Sequence, residues 1–181
     1  SSSQVFSHSK IKYNSEKTKV NSVIEMGKQK IEIENFIKKS TNNFAIIRLG
    51  KIISFKDTFF SNLINSLKDN KEIVLYQDYF FSPISIKFLN NCLFNNEFTN
   101  IVHLSGARNI SYYKFGIELA KKFNFSESLI IPKKIDKENN LFQFSSQFLK
   151  LDYTRKQYNI NPQNILDVVE DCYDEYIESD L

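Results

Sequence analysis

Apolar residues follow two different spacings along the chain. Three short runs rich in β-branched and aromatic residues have the length and composition of buried strands: 44–48, 73–76 and 101–104. The longer segments around them place apolar residues at helical spacing and predict four helices: 23–39, 58–67, 84–94 and 112–123. Strands that alternate with helices in this way predict an α/β fold.

The first predicted helix is amphipathic. Ile33, Phe36 and Ile37 share one of its faces, and the charged side chains of Glu32, Glu34 and Lys38 are mostly turned away. This pattern is typical of a helix that packs on one side of a sheet.

The two ends of the chain carry separate signals. The opening SSSQVF has the pattern of a buried strand whose last residues are small and hydroxylic, and in open parallel sheets ligands bind beyond the carboxyl ends of strands. An ordinary polar loop is the alternative. Residues 162–177 predict a final helix with Asn161 as N-cap and Pro162 at the first helical position. Residues 130–150 are irregular and predict a loop with short strands.

Composition excludes several classes of protein. The chain has 181 residues, with 24 basic and 21 acidic side chains interspersed, so no basic stripe suggests nucleic acid as a partner. No apolar run has the length of a membrane span, and we expect no membrane partner. Cys92 and Cys172 match no metal spacing. We expect buried thiols, no metal and a cytoplasmic location.

Several motifs, taken in order, resemble one known family. SSSQVF, MGKQKIEIENFI, FAIIRLGKI, the segment around Asp78, Ser82 and Pro83, NIVHLSGARNISYYKFGIELAKKF and the LKLDYTRKQYNINPQNILDVVED ending cover nearly all of the chain. Together they resemble the extended short-chain dehydrogenase/reductase superfamily, and most closely its dTDP-4-dehydrorhamnose reductase-like members. The resemblance implies a Rossmann-type α/β fold, NAD or NADP as cofactor and a sugar nucleotide as substrate.

The resemblance also implies that a part is missing. Such proteins carry a Gly-rich turn that binds the dinucleotide, and none of the four glycines here forms one. The chain begins at Ser1 and its only methionine is Met26, so we expect it to be the C-terminal portion of a longer protein. We expect residues 1–55 to be the end of the Rossmann sheet with the active-site helix. Residues 56–181 would form mainly the sugar-nucleotide-binding lobe, intertwined with the last sheet strands. No NAD or NADP binding is expected of this chain alone.

The family motif assigns catalytic roles to three positions. A hydroxyl at the strand end holds the sugar oxygen, a tyrosine transfers its proton, and a lysine four residues later binds the cofactor ribose and lowers the tyrosine pKa. Ser2 matches the hydroxyl and Lys30 the lysine, but Met26 stands at the tyrosine position. Because a thioether has no proton to give, the resemblance implies an interrupted proton relay.

A second Y-x-x-x-K pattern runs from Tyr13 to Lys17. It lies in a polar stretch without apolar periodicity and only 11 residues after Ser2, whereas Met26 opens the amphipathic helix. We therefore favour Met26 as the position that matches the family tyrosine.

The remaining candidates bind substrate in the family analogy. They are Arg48, Asp78, Ser82 and Pro83, and each has a structural alternative: an interior ion pair for Arg48 and an ordinary loop for the other three. Tyr79, Phe80 and Phe81 have the chemistry to stack on a base or to pack in the core. His103 lies in an apolar strand and is predicted to be structural.

Three functions are consistent with these residues. The first is an NAD(P)-dependent reductase or epimerase of 4-keto sugar nucleotides. This chain would be a truncated form of it, or one whose catalysis is impaired by Met26. The second is a non-catalytic scaffold or regulatory subunit, with a homodimer or another protein as partner, as in the beta subunit of methionine adenosyltransferase, which resembles the same reductases. The third is a fragment without a function of its own.

Overall fold

The computed structural model describes residues 1–7, 12–136 and 148–179. The helices of this part of the chain are α1 (Glu25–Ser40), α2 (Thr58–Lys68), α3 (Ile86–Phe94), α4 (Tyr112–Lys122), α5 (Asp152–Tyr158) and α6 (Ile165–Ser179). The strands are β1 (Tyr13–Asn14), β2 (Ala45–Leu49), β3 (Lys51–Ile53), β4 (Ile73–Tyr76), β5 (Phe80–Phe81), β6 (Pro83–Ser85), β7 (Asn100–Leu104), β8 (Ile110–Ser111), β9 (Ile130–Lys133) and β10 (Phe148–Leu149).

Most strand pairs are parallel. β2 pairs with β7, β3 with β6, β4 with β9 and β1 with β10 in parallel, and the short pair β5–β8 is antiparallel. The predicted α/β fold is confirmed. Ser1 and Ser2 run beside β2, because the Leu49 N–H donates to the Ser1 carbonyl over 3.2 Å and Ser2 forms a parallel bridge with Leu49.

The largest apolar core lies where α2, α4 and α6 pack together with β4 and β9. Its fully buried side chains include Phe60, Leu63, Phe115, Leu119 and Val168. A smaller cluster joins α3 to β6 and β7, with Leu89, Cys92 and Leu104 at its centre. These helices bury apolar stripes at helical spacing, as their sequences predict.

Three sequence predictions are wrong at element boundaries. The strand read through SSSQVF stops at Ser2, and Ser3–Phe6 forms a 3-10 turn. Ile84 belongs to β6, so α3 begins two residues later. The last helix begins at Ile165, because the Asn164 side chain, and not Asn161, accepts a hydrogen bond from the Asp167 N–H over 3.0 Å.

Helix α1 buries Glu34, and not Ile33 and Phe36 of its predicted apolar face; Ile37 of that face is partly buried. Ile33 and Phe36 are 58% and 71% exposed, whereas Glu34 is 1% exposed. An interior cation, Arg48, explains this orientation, because it binds both Glu34 carboxylate oxygens. A paired carboxylate therefore lies at the centre of the inward face of α1, with Ile31 packing beside it against Val5 and Phe6.

Candidate functional site

A cavity of about 660 Å³ opens where the ends of several strands meet the start of α1. We call it the central cleft. Its wall combines hydroxyls, aromatic rings and two lysines: Ser1, Ser2, Ser3, Gln4, Ser7, Ile24, Lys30, Leu49, Gly50, Lys51, Ile52, Tyr79, Phe80, Phe81, Ser82, Ser105, Tyr112 and Leu149. None of these described wall residues is acidic, so the formal charge of the wall is positive.

Ser2 is held at the end of the strand that runs beside β2. Its backbone is extended and pairs with Leu49, and its Oγ accepts a hydrogen bond from the Gln4 N–H over 3.4 Å, which caps the 3-10 turn. The turn buries Val5 and Phe6 completely. The Ser2 hydroxyl is thereby fixed at the cleft wall by the fold of its neighbours.

The first turn of α1 lies close against this 3-10 turn. A Cβ on Gly27 would come within 2.1 Å of the Ser22 Oγ and 2.6 Å of the Gln4 carbonyl oxygen, so only glycine permits the approach. Lys30, one helical turn after Met26, lines the central cleft. Met26 is 55% exposed and is not among the wall residues. Ser2 and Lys30 therefore line the same cleft, and Met26 lies outside its described wall.

Buried polar groups support α1 from below. The Arg48 Nε and Nη2 donate to Glu34 over 2.9 and 2.7 Å, and the Ser1 Oγ donates to the same carboxylate over 2.7 Å. Burial opposes ionisation of Glu34, but the hydrogen bonds and charge of Arg48 outweigh it and hold the pKa of Glu34 below its ordinary value. One carboxylate thus ties α1 to β2 and to the residue before Ser2.

His103 extends this polar interior. It is fully buried in β7, with Nε2 3.5 Å from Arg48 Nη1 and Nδ1 3.1 Å from the Lys150 carbonyl oxygen. Burial, reinforced by the Arg48 charge, lowers the pKa of His103 to about 4. The ring is neutral at physiological pH and has the buried, hydrogen-bonded surroundings of a structural histidine.

The four substrate-binding candidates lie in different surroundings. Arg48 is 1% exposed and occupied by Glu34, which favours the interior ion pair over a place on the wall of the central cleft. Asp78 accepts a hydrogen bond from the Ile135 N–H over 3.0 Å and is outside the wall. Ser82 lines the cleft and donates to Asn109. Pro83 is buried in β6, directly after Ser82.

A second, apolar cavity of about 270 Å³ adjoins the central cleft. We call it the aromatic pocket; its wall is Phe59, Val74, Leu75, Tyr76, Tyr79, Tyr112 and Ile135. Tyr79 and Tyr112 belong to both walls and stack with their ring centroids 5.3 Å apart. Burial raises the pKa of both phenols, that of Tyr112 to about 12 with help from Tyr79 and Asp57, so both stay protonated.

The Tyr13 pattern does not form a helical pair. Tyr13 lies in β1, and its hydroxyl accepts a hydrogen bond from Asn109 over 3.3 Å. Residues 15–18 form a turn in which the Thr18 N–H donates to the Ser15 carbonyl. The geometry of a tyrosine one helical turn before a lysine is absent from this described segment.

Sequence reasoning missed several wall residues. Lys51, Ser105 and Tyr112 each follow a strand closely, and this position at a strand end is the signal that identifies them in retrospect. Phe59 gives no such signal, because its place in the aromatic pocket depends on how α2 packs.

Other classes of site find no support in the described residues. No cluster of three His, Cys, Asp or Glu side chains fits a metal ion in residues 1–7, 12–136 and 148–179. In the same part of the chain, no helix is both long and apolar enough to cross a bilayer. Cys92 and Cys172 are buried free thiols, as predicted, and burial raises the pKa of Cys92 to about 11.

Solved structures of sugar-nucleotide enzymes share this fold. The dTDP-4-dehydrorhamnose reductase of Bacillus anthracis, in complex with NADP, superposes with a TM-score of 0.83 at 20% identity over 97% of this chain and 64% of that chain. The corresponding reductase of Yersinia enterocolitica gives 0.78 at 21% identity over 95% and 65%. The UDP-N-acetylglucosamine 4-epimerase of Methanobrevibacter ruminantium, in complex with UDP-N-acetylmuramic acid, gives 0.77 at 10% identity over 99% and 62%.

The chain therefore spans slightly less than two thirds of these structures. No protein of curated function matches it. The family model described as the RmlD substrate binding domain matches residues 1–177. The chain belongs to the RmlD substrate binding domain family.

Proposed function

We propose that this chain is the substrate-binding portion of a sugar-nucleotide reductase- or epimerase-like protein and that it binds a nucleoside diphosphate sugar. The observation that supports the proposal is a pair of neighbouring cavities: a hydroxyl-rich, positively charged cleft shares Tyr79 and Tyr112 with an apolar aromatic pocket. A nucleoside diphosphate sugar combines the matching parts, because its base is flat, its diphosphate is anionic and its sugar is rich in hydroxyls.

The two cavities suggest the orientation of the ligand. The base fits the aromatic pocket, where the Tyr79–Tyr112 stack offers a flat wall. The sugar then extends into the central cleft toward Ser2 and Lys30. Ser82, on the same wall, is placed to hydrogen-bond the ligand, and Pro83 shapes the turn behind it. Arg48 and Asp78 act on the site only through the backbone elements that they hold.

The site residues also fit a nicotinamide cofactor in part. Lys30 in the cleft is one helical turn from position 26 and close to the strand end of Ser2, so its ammonium would bind the cofactor ribose. The bound cofactor would supply or accept hydride. This chain carries no Gly-rich turn for the pyrophosphate, so we propose that the dinucleotide-binding part lies outside these 181 residues. Residues 1–55 and 56–181 remain our proposed division, although β2–β7 and β3–β6 pair across it.

Met26 leads us to propose impaired catalysis. A reduced ketone needs a proton for its oxygen, and the family motif places a tyrosine for this purpose where Met26 stands. Ser2 can hydrogen-bond the oxygen, but a serine hydroxyl is a poor acid without a relay. The same observation favours a second candidate function, a scaffold or regulatory subunit that binds the ligand without turning it over.

Binding is tested first, with the 181-residue chain and with dTDP and UDP in calorimetric titrations. Tyr79→Ala removes one ring of the stack and should weaken binding about 5- to 150-fold, the range that loss of base stacking gives. Tyr153→Ala is the matched control, because Tyr153 is a partly exposed tyrosine on α5 outside both cavities. Failure of the unsubstituted chain to bind either nucleotide would contradict the proposal.

Catalysis is tested with the longest natural polypeptide that contains these residues, a 4-keto sugar nucleotide and NADPH. A positioned general acid contributes roughly 10²–10⁴-fold, so Met26→Tyr should raise turnover by about that factor. Met26→Phe, which supplies the ring without the hydroxyl, should have no effect. Brisk reduction by the unsubstituted protein that Tyr13→Phe abolishes would transfer the catalytic role to Tyr13. If the unsubstituted protein and Met26→Tyr both bind the nucleotide and neither is active, the result supports the function of a scaffold or regulatory subunit.

A further inference from the structure

Lys51 is the second lysine on the described wall of the central cleft, beside Lys30. It is the first residue of β3, where its backbone pairs with Pro83 of β6. Gly50 before it is closely packed, because a Cβ there would lie 2.5 Å from the Ser105 Oγ and 2.6 Å from the Ser82 carbonyl oxygen. The backbone at Lys51 is therefore fixed by two strands and a tight contact.

Asp57 fixes the other end of the Lys51 side chain. The Lys51 Nζ lies 2.6 Å from Asp57 Oδ2, while Asp57 Oδ1 accepts a hydrogen bond from the Phe59 N–H over 2.9 Å and caps α2. Lys51 itself lines the central cleft, and Phe59, whose backbone N–H Asp57 caps, lines the aromatic pocket. A long flexible side chain is thus positioned in advance at one place in the cleft.

The Lys51 ammonium keeps hydrogen-bonding capacity in this position. It has three N–H donors, and among residues 1–7, 12–136 and 148–179 its hydrogen-bond partner is Asp57. The side chain is partly exposed, and no described residue of the cleft wall is a carboxylate that would compete for it. An anionic ligand group can therefore bind Lys51 while Asp57 stays in place.

We propose that Lys51 binds the diphosphate of the sugar nucleotide and that Asp57 is its positioning residue; the inference rests on the proposed function. With the base in the aromatic pocket and the sugar at Ser2 and Lys30, the diphosphate lies between them in the central cleft, whose wall includes Lys51. Lys51 then selects nucleoside diphosphates over nucleosides.

The test compares calorimetric affinities of the 181-residue chain with Lys51→Gln for thymidine, dTDP, inorganic pyrophosphate and NADP. Loss of a charged hydrogen-bond donor should weaken dTDP and pyrophosphate about tenfold to hundredfold and leave thymidine within about twofold. Lys51→Arg, which keeps the charge, should recover most of the affinity. Lys56→Gln removes an exposed lysine of the following loop that lines neither cavity, and it should match the unsubstituted chain. Thermal melting of each variant establishes that it is folded.

Each outcome decides the inference. Unchanged dTDP affinity in Lys51→Gln, while Tyr79→Ala still weakens dTDP, overturns the role of Lys51 and leaves the proposed function standing. Equal weakening of thymidine and dTDP, or equal weakening by Lys56→Gln, also overturns it, because the effect is then not one of a local diphosphate contact. If Lys51→Gln weakens the affinity for NADP and not that for dTDP, Lys51 contacts a cofactor, and the proposed role in binding the sugar nucleotide is overturned. No binding of dTDP by the unsubstituted chain removes the proposed function and this inference together.

Discussion

Helices α1 and α4 are packed by opposite means. α4 buries Phe115, Leu119 and Ala120 in the largest apolar core. α1 buries Gly27 and the carboxylate of Glu34, while Ile33 and Phe36 face outward. The α4 packing depends on buried apolar area. α1 instead combines a buried charged pair and a close backbone approach with a small apolar contact, that of Ile31 against Val5, Phe6 and Leu149.

The difference has a consequence for the site. Apolar packing tolerates small shifts of a helix, but a bidentate arginine–carboxylate pair fixes distance and direction. Because Lys30 lies one turn before Glu34, the Arg48 pair sets where the Lys30 ammonium enters the central cleft. The Ser1 hydroxyl donates to the same carboxylate, so the extended segment that carries Ser1 and Ser2 is fixed relative to α1.

Breaking the charged pair should have the largest effect. Arg48→Met removes the buried bidentate partner of Glu34 and leaves the carboxylate with the Ser1 hydroxyl and the partly exposed Lys38 ammonium, 3.4 Å away. We expect it to lower the free energy of unfolding by about 3–5 kcal/mol in urea titrations. The double variant Glu34→Leu/Arg48→Met removes both charges and should recover most of this loss. A double variant as unstable as Arg48→Met would show that the cost comes from lost packing and not from an uncompensated charge.

Lowering the pH should weaken the same region. His103 has a pKa of about 4 in the folded chain and an ordinary value of 6.5, so the unfolded chain binds more protons between these values and stability falls as pH drops from 6.5 toward 4. By pH 4.5 the loss should reach about 2–3 kcal/mol. The lowered pKa of Glu34 also makes the folded chain less stable as the pH falls. Glu16, whose carboxylate lies 3.6 Å from His103, has a pKa raised by burial, so its protonation opposes this loss of stability.

The control for this pH effect is His103→Gln. Urea unfolding at pH 7 and pH 4.5 should show a smaller difference for this variant than for the unsubstituted chain. Parallel loss of stability in the two proteins would exclude His103 as the source.

The sequence predicts α4 better than α1 for a physical reason. A periodic apolar stripe, as in α4, predicts both that a helix forms and which of its faces is buried. In α1 the stripe of Ile33 and Phe36 gives the helix but the wrong face, because the partner that buries Glu34 is Arg48, on a separate strand. Long-range ion pairs leave no local periodicity.

The residues of the candidate site also fall into two groups, those that a local motif predicts and those that only long-range packing places there. Ser2 and Lys30 were recognised because a local motif surrounds each, and both line the central cleft; their roles remain predictions. Lys51 and Phe59 were not recognised, since their place depends on strand pairing and on the cap of α2. That Met26 stands at the position of the family tyrosine is a prediction from the motif alone.

Filling the close approach of α1 should have an intermediate effect. Gly27→Ala puts a methyl group within 2.6 Å of the Gln4 carbonyl oxygen, so helix and 3-10 turn must separate. We expect a loss of about 1–3 kcal/mol in the free energy of unfolding. Lys28→Ala, at the next and exposed position of α1, should change it by less than about 0.5 kcal/mol. Equal stability of Gly27→Ala would show that α1 does not need this contact.

The smallest change in stability is expected from substitutions on the outer face of α1. These substitutions test whether the exposed apolar residues of α1 contribute to its packing, as the buried apolar residues of α4 do. Phe36 is 71% exposed, so Phe36→Gln removes little buried area and should change the free energy of unfolding by less than about 0.5 kcal/mol in urea. Phe60→Ala, in the apolar core, is the contrasting variant and should cost about 3–5 kcal/mol. Because exposed apolar patches promote association, Phe36→Gln should also reduce any self-association seen in sedimentation. If Phe36→Gln instead destabilises the chain by more than about 1 kcal/mol, the outer face is covered in solution and contributes apolar packing to α1.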